Sequence, residues 1–153
     1  MKKKLSIRVY AIFQTEDGKI PVLREKYQGL ELLKFPGGGM VWGEGVIDTL
    51  KRELYEELGM RHFSYELFFI YEKPIISIFN PEVSVVTIYY IVTSKENLSI
   101  RKQTPVKKDN ALLEILYLPL EESSCNLLTF ENDRLALKTF LQRQQTQMRN
   151  TEC

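Results

Sequence analysis

Between Gly45 and Gly59 lies the segment VIDTLKRELYEEL, which constrains the fold more than any other part of the chain. Ile47, Leu50, Leu54 and Leu58 recur at helical spacing, which predicts a helix over Gly45–Leu58 with one apolar stripe. Asp48 in the first turn suits the positive end of the helix dipole, and Gly59 suits a left-handed residue that ends the helix. So short an amphipathic helix is stable only when its stripe packs on another layer. Strands supply that layer. LSIRVYAIFQ (Leu5–Gln14), IPVLRE (Ile20–Glu25), LLKF (Leu32–Phe35), FSYELFFIYE (Phe63–Glu72), VSVVTIYYIVTS (Val83–Ser94) and ALLEILYLPL (Ala111–Leu120) are rich in β-branched and aromatic residues. Pro21 marks an edge or a strand start, and Pro119 closes the last strand. Asp17-Gly18 reads as a hairpin turn between the first two strands, and the loop around Asn80–Glu82 joins two later ones. A second helix is predicted over Thr129–Gln147, with Thr129 as its N-cap and Glu131 and Asp133 in its first turn. Residues 1–147 are expected to form one α/β or α+β layered domain, and the polar tail 148–153 is expected to fray.

Ahead of the first helix stands Pro36-Gly37-Gly38-Gly39, read as a loop whose glycines permit close backbone approach. Inside the helix, Arg52 precedes Glu53, Glu56 and Glu57. At about 100° per residue the three glutamates share an arc of roughly 100°, at the edge of the apolar stripe rather than opposite it. Two readings of this cluster stand side by side. One is a solvated helix face, with Arg52 offsetting charge. The other is a divalent-metal site, because carboxylates repel one another at the edge of a core unless a cation neutralises them.

The surroundings decide the weighting. Gly38 is followed after five residues by Glu44, and Glu44 after seven by Arg52-Glu53-Leu54-Tyr55-Glu56-Glu57-Leu58-Gly59-Met60. The stretch Gly38–Met60 resembles the signature of the Nudix hydrolases, with every fixed position satisfied. That resemblance implies a Nudix-type α/β/α sandwich with a mixed β-sheet. It also implies hydrolysis of a nucleoside diphosphate linked to another moiety, with Mg2+ or Mn2+ as cofactor. By resemblance Glu53 and Glu57 are the first-choice metal ligands, Glu56 follows closely, and the Gly38 carbonyl joins them. A glutamate left off the metal orients or deprotonates the attacking water. Arg52 holds a glutamate in place, and Glu44 pairs with Arg52 or assists at the metal. Gly38 and Gly39 let main-chain groups approach the phosphates. Magnesium chemistry agrees, since this hard ion binds few carboxylates together with substrate phosphate.

Other residues have less support. Arg24, Lys26 and Lys34 flank the glycines, to contact phosphates or to solvate a strand. Glu114 and Glu82 are candidates for a further catalytic glutamate outside the signature. Trp42 either stacks on a base, covers the loop or packs. Phe68, Phe69, Tyr71, Tyr89 and Tyr90 serve either a homodimer interface or the core. Pro74, fourteen residues past Met60, is too loosely placed to mark a substrate subfamily. His62, the single histidine, cannot build a multi-histidine metal site. Arg101, Lys102, Lys107 and Lys108 read as a solvated turn. Alternatives to hydrolysis are a catalytically silent domain that senses a nucleotide and an isomerase resembling the isopentenyl diphosphate isomerases. The retained glutamates disfavour the first, and the lack of a cysteine near the signature disfavours the second.

Charge narrows the partners. With 21 basic and 20 acidic residues the net charge is +1, so no global field recruits nucleic acid or an anionic membrane. An anionic substrate must be handled locally. Cys125 and Cys153 form no disulfide framework, which favours a reducing compartment. MKKKLSIRVYAIFQ begins as secretory signals do, but Arg8 and Gln14 interrupt its apolar part, so it reads as a strand. No stretch approaches the roughly 18 apolar residues of a membrane span. The expected location is the cytoplasm, and the expected partner a small nucleotide.

Overall fold

The computed structural model describes residues 2–96, 106–108 and 111–151. Their order is β1 (Lys4–Ile12), β2 (Lys19–Tyr27), β3 (Leu30–Lys34), β4 (Gly37–Gly39), α1 (Val46–Leu58), β5 (Ser64–Ile70), β6 (Ile75–Ile76), β7 (Val83–Thr93), β8 (Val106–Lys108), β9 (Ala111–Pro119), a 3-10 turn and α2 (Glu131–Thr151). Arg101, Lys102 and Cys153 lie outside the described residues.

The strands form two sheets. The first runs β4-β1-β7-β5, with β6 on β7, and is mixed because β1 and β7 are parallel while the other pairs are antiparallel. The second runs β3-β2-β9-β8 and is antiparallel throughout. Strands β1 and β2 therefore belong to different sheets, and Asp17-Gly18 does not make the hairpin that the sequence suggests. The turn itself is present, closed by the Thr15 N–H on the Lys19 carbonyl at 2.8 Å. The chain uses it to change sheets, because β1 is already paired on both edges by β4 and β7.

Alternation along β1 divides the core in two. Val9, Ala11 and Phe13 pack with Leu50, Leu54 and Leu58 of α1 on one face. Tyr10 and Ile12 pack with Ala136, Leu137 and Phe140 of α2 on the other. The mixed sheet is thus sandwiched between helices. Ile20 and Val22 of β2 join the α2 side, and Leu23 joins the α1 side. The aromatic residues are core: Tyr89 is fully buried, Phe68 and Phe69 pack against the α2 cluster, and Tyr90 packs against the α1 cluster.

Helix α1 starts one residue later than its earliest expected position, after Gly45, whose N–H donates to Asp48 Oδ2 at 2.9 Å. It ends at Gly59 with φ of 63°, as its sequence dictates. Thr129 is not the cap of α2. Its hydroxyl accepts the Leu33 N–H at 2.7 Å and its own N–H donates to the Leu33 carbonyl, which fastens β3 to the approach of the helix. Helix α2 continues through Met148–Thr151, where the sequence suggests fraying, with Arg149 in its last turn facing the negative end of the dipole. Among the described residues no helix is long and apolar enough to cross a membrane.

Candidate active site

The three glycines are not a loop. They form β4, paired with β1 in the register Arg8–Gly39, Val9–Gly38 and Tyr10–Gly37. Glycine in a strand marks a place where something approaches closely, and here it happens on both faces. A Cβ on Gly38 would sit 2.6 Å from the Glu53 carboxyl carbon. One on Gly37, whose φ is 143°, would collide with the backbone of Val9 and Tyr10. One on Gly39 would touch Arg8 Nη1 at 3.5 Å. The strand is a thin partition with Glu53 against one side and Arg8 against the other.

Register also sorts its backbone groups. The Ala11 N–H donates to the Pro36 carbonyl and the Met40 N–H donates to the Ile7 carbonyl. Antiparallel pairing alternates, so Gly38, midway between them, turns its N–H and carbonyl to Val9. The outer edge of the strand is made by Gly37 and Gly39. Gly37 donates its N–H to Glu57 Oε1 at 2.7 Å, and the Gly39 carbonyl accepts from Arg52 Nη2 at 3.0 Å. The Gly38 carbonyl, a ligand by resemblance, thus faces Val9 within the sheet, and the main-chain groups of the outer edge are those of Gly37 and Gly39.

Arg52 organises the helix side. Its Nε and Nη2 donate to the two oxygens of Glu44 at 2.6 and 3.0 Å, and its Nη1 donates to Glu53 at 2.9 Å and Glu56 at 3.4 Å. A planar fork suits this task as a lysine would not. Glu44 reaches Arg52 through a turn closed by its N–H on the Val41 carbonyl at 3.0 Å, with Gly43 at φ 90°. Glu44 also accepts from the Val41 N–H and the Thr49 hydroxyl. The Arg52 guanidinium, assisted by those two donors, holds the Glu44 carboxyl down at about 2. Its contribution to stability is therefore complete above the ordinary carboxylate range and is lost as pH falls through about 2. Glu53 and Glu57 are each only 5% exposed, whereas Glu56 faces solvent. The donors are all hard oxygens, which fits magnesium or manganese. Among the described residues no three acidic, histidine or cysteine side chains form a ready-made metal cage. Here the carboxylates are held by Arg52 and Gly37, and magnesium does not require a full protein cage, since water and phosphate complete its shell.

On the far side of the glycine strand lies a cavity of about 280 Å³. Its walls include Tyr27, Ile75, Ile78, Phe79 and Phe130, and its polar groups include Arg8, Glu25, Lys34 and Asn132. Arg8 donates from Nε to the Tyr10 hydroxyl at 2.7 Å. Lys34 is buried and paired with Glu25 at 2.9 Å. Burial opposes its charge, but Tyr10, Glu57 and Glu25 outweigh that and raise its pKa above the usual lysine value.

Of the residues singled out in the sequence, Glu44, Arg52, Glu53, Glu56, Glu57, Gly38 and Gly39 come together, and Lys34 stands beside them. Arg24 does not line the cavity. It is tied to Glu114 at 2.5 Å across β2 and β9, on the face opposite Glu25, and this pair occupies both candidates. Lys26 is exposed and lines no part of the cavity. Glu82 also stands outside it, with its backbone N–H on Asn80 and its carbonyl on Lys4. Trp42 is fully exposed on the turn before α1. His62 is exposed as well, and its backbone groups are held by Glu96 and Ser94. Pro74 immediately precedes β6, whose Ile75 and Ile76 line the cavity, and does not line it itself. Arg8, Tyr10, Glu25 and Asn132 carried no functional reading in the sequence. For Arg8 the missed signal is a cation in mid-strand among apolar neighbours.

Comparison with known proteins agrees with this architecture. The NUDIX domain family matches residues 4–140. No curated protein is significantly similar in sequence. Among solved structures, the MutT protein from Methanosarcina mazei Go1 superposes with a TM-score of 0.65 at 20% identity, covering 95% of this chain and 98% of that one. The MutT protein from Bacillus halodurans gives 0.65 at 20% identity, covering 89% and 82%. A Nudix hydrolase from Nitrosomonas europaea gives 0.62 at 21% identity, covering 88% and 87%. At such identities these likenesses speak for the fold alone. The family match spans nearly the whole chain and contains both the glycine strand and the acidic helix, and on that ground the chain belongs to the Nudix hydrolase family.

Proposed function

We propose that the protein is a metal-dependent pyrophosphohydrolase that cleaves a phosphoanhydride bond in a nucleoside diphosphate linked to another moiety. The observation that carries this reading is a pair of buried carboxylates, Glu53 and Glu57, on one turn of α1 and across a side-chain-free strand from a cavity that holds two cations. Carboxylates gathered on one turn concentrate negative charge that favours a divalent cation beside Arg52, and Glu53, Glu57, Glu56 and a glycine-strand carbonyl are the oxygens that would hold Mg2+ or Mn2+. Such an ion would neutralise phosphate charge and make water a better nucleophile.

The chain's own groups do the rest. Arg52, braced by Glu44, keeps Glu53 in its rotamer. Gly37 fixes Glu57. Glu56, the most exposed of the three and within reach of Arg52, would either complete the ligand set or take the proton of the attacking water. Arg8 and Lys34 offer positive charge to the phosphates where they pass from cavity to helix. Water adds at phosphorus, the bridging P–O bond breaks, and the leaving oxygen departs with its phosphate. No protein nucleophile is required.

The test is a panel of nucleoside diphosphate derivatives with magnesium or manganese, run on the wild type and on Glu57→Gln. Wild-type turnover is expected, with a loss on the order of 10²–10³-fold in the variant. No turnover of any compound, or equal rates in both proteins, overturns the proposal.

A further inference from the structure

The proposed reaction leaves Trp42, the single tryptophan of the chain, without a task. It stands in Met40-Val41-Trp42-Gly43-Glu44, between the glycine strand and α1. Its indole is fully exposed, and Val41 beside it is 53% exposed. Aromatic side chains carry large apolar areas, and an indole standing clear of the protein covers none of it.

The turn that carries it is tied at both ends. The Glu44 N–H donates to the Val41 carbonyl at 3.0 Å, the Val41 N–H donates to Glu44 Oε1 at 3.1 Å, and Gly43 supplies a φ of 90°. The same Glu44 carboxylate accepts from Nε and Nη2 of Arg52. Arg52 in turn donates to the Gly39 carbonyl and to Glu53. One brace therefore holds both a carboxylate of the candidate active site and the turn that presents the indole. Trp42 follows Gly39 by three positions, so their Cα atoms lie at most about 11 Å apart. A ring joined through a sugar to a phosphate at this strand spans a distance of that order.

Three occupants could cover the indole. A cationic group would need an anion beside the ring, but both nearby carboxylates are engaged. Glu44 is taken by Arg52, Val41 and Thr49, and Asp48 by the Gly45 N–H. A second copy of the chain would need much more than one side chain, since an aromatic residue buries about 150–250 Å² and a stable contact about 800 Å² per partner. A planar ring needs neither. It covers one face of the indole and leaves its own polar edge in water, and such stacking is worth most of a decade or more in affinity.

We propose that Trp42 is a binding residue that stacks on a planar aromatic ring in the moiety joined to the nucleoside diphosphate, outside the cavity and at the helix end of the glycine strand. This deepens the proposed function by naming the class of that moiety, and it rests on that function in taking the diphosphate to lie across the glycine strand.

The test uses the full chain and the emission of its only tryptophan, excited clear of the tyrosines. Three probes share one adenosine diphosphate unit: the free nucleotide, the nucleotide joined to glucose, and the nucleotide joined to a second adenosine. Titrations are run without metal and, where binding is too weak to read, with Ca2+ in place of Mg2+. The probe with the second ring is expected to quench Trp42 and to bind about tenfold tighter than the glucose conjugate. In Trp42→Ala, followed by calorimetry, the ratio should fall below about threefold, and in Trp42→Phe, which keeps a ring, it should lie between the two. Trp42 packs on nothing, so thermal melts of both variants should match the wild type. No quench by the two-ring probe, equal affinity for the two conjugates, or a Trp42→Ala protein with the wild-type ratio overturns the proposal. So does a wild-type dimer that Trp42→Ala converts to a monomer, since the indole would then belong to a contact between copies. Turnover plays no part in these readings. A protein that prefers the second ring and hydrolyses nothing counts against the proposed reaction alone, and one that hydrolyses the conjugates without the preference counts against Trp42 alone.

Discussion

The two sides of the glycine strand are built on different principles. On the helix side, every charged group comes from one short stretch, and each has a named partner: Arg52 with Glu44, Glu53 and Glu56, and Glu57 with Gly37. On the cavity side, the polar groups come from β1, β2, β3, β7 and α2, elements far apart in the chain. The first takes its charged groups from contiguous residues, with Gly37 and Gly39 of β4 completing their contacts. The second exists only once both sheets and α2 have packed. If the proposed reaction holds, chemistry common to the family would rest on a contiguous motif and the choice of substrate on tertiary assembly.

Substitutions can break this division of labour. The largest effect is expected from Gly38→Ala, because the new Cβ meets the Glu53 carboxyl group inside the partition. Overpacking of this kind costs about 1–3 kcal/mol of stability, readable in denaturant unfolding. It should also abolish most turnover while leaving nucleoside monophosphate binding in the cavity detectable. Arg52→Lys should come next. It loses the two-pronged grip on Glu44, and activity should fall roughly 10–100-fold with little change in KM. The smallest effect belongs to Lys34→Met, on the cavity side. There KM for the nucleotide should rise about tenfold with kcat nearly unchanged, as expected when a charge-assisted contact is lost. If Lys34→Met lowers kcat as much as Arg52→Lys does, the two sides are not functionally separate.

The same contrast explains what the sequence disclosed. Helix α1 was legible because periodic leucines, a closing glycine and the glutamate spacing all lie within its own residues. Strand and helix patterns alone read as an α/β or α+β layered domain, and the α/β/α sandwich was implied by the resemblance of Gly38–Met60 to the Nudix signature. The partners of each strand were not legible. Asp17-Gly18 carries hairpin chemistry, yet sheet membership is decided by β7 and β9, which lie far along the chain. Gly37–Gly39 gave no sign of being a strand, since pairing with β1 is a tertiary fact. Arg24 looked as suitable for phosphate as Lys34, and one residue of strand alternation separates Glu25, which lines the cavity with Lys34, from Arg24, which meets Glu114. Asn132 and Tyr89 are 43 positions apart, and no local pattern announces their hydrogen bond.

Strand β1 contributes Arg8 and Tyr10 to the cavity and Val9 and Ala11 to the packing beneath α1, in strict alternation. A single codon inserted ahead of Arg8 would rotate this whole set by half a turn, driving a guanidinium into hydrocarbon and an isopropyl group into the cavity. Loops of this chain can change length without moving these side chains, but the count of residues through this strand fixes which of them face the cavity and which face α1.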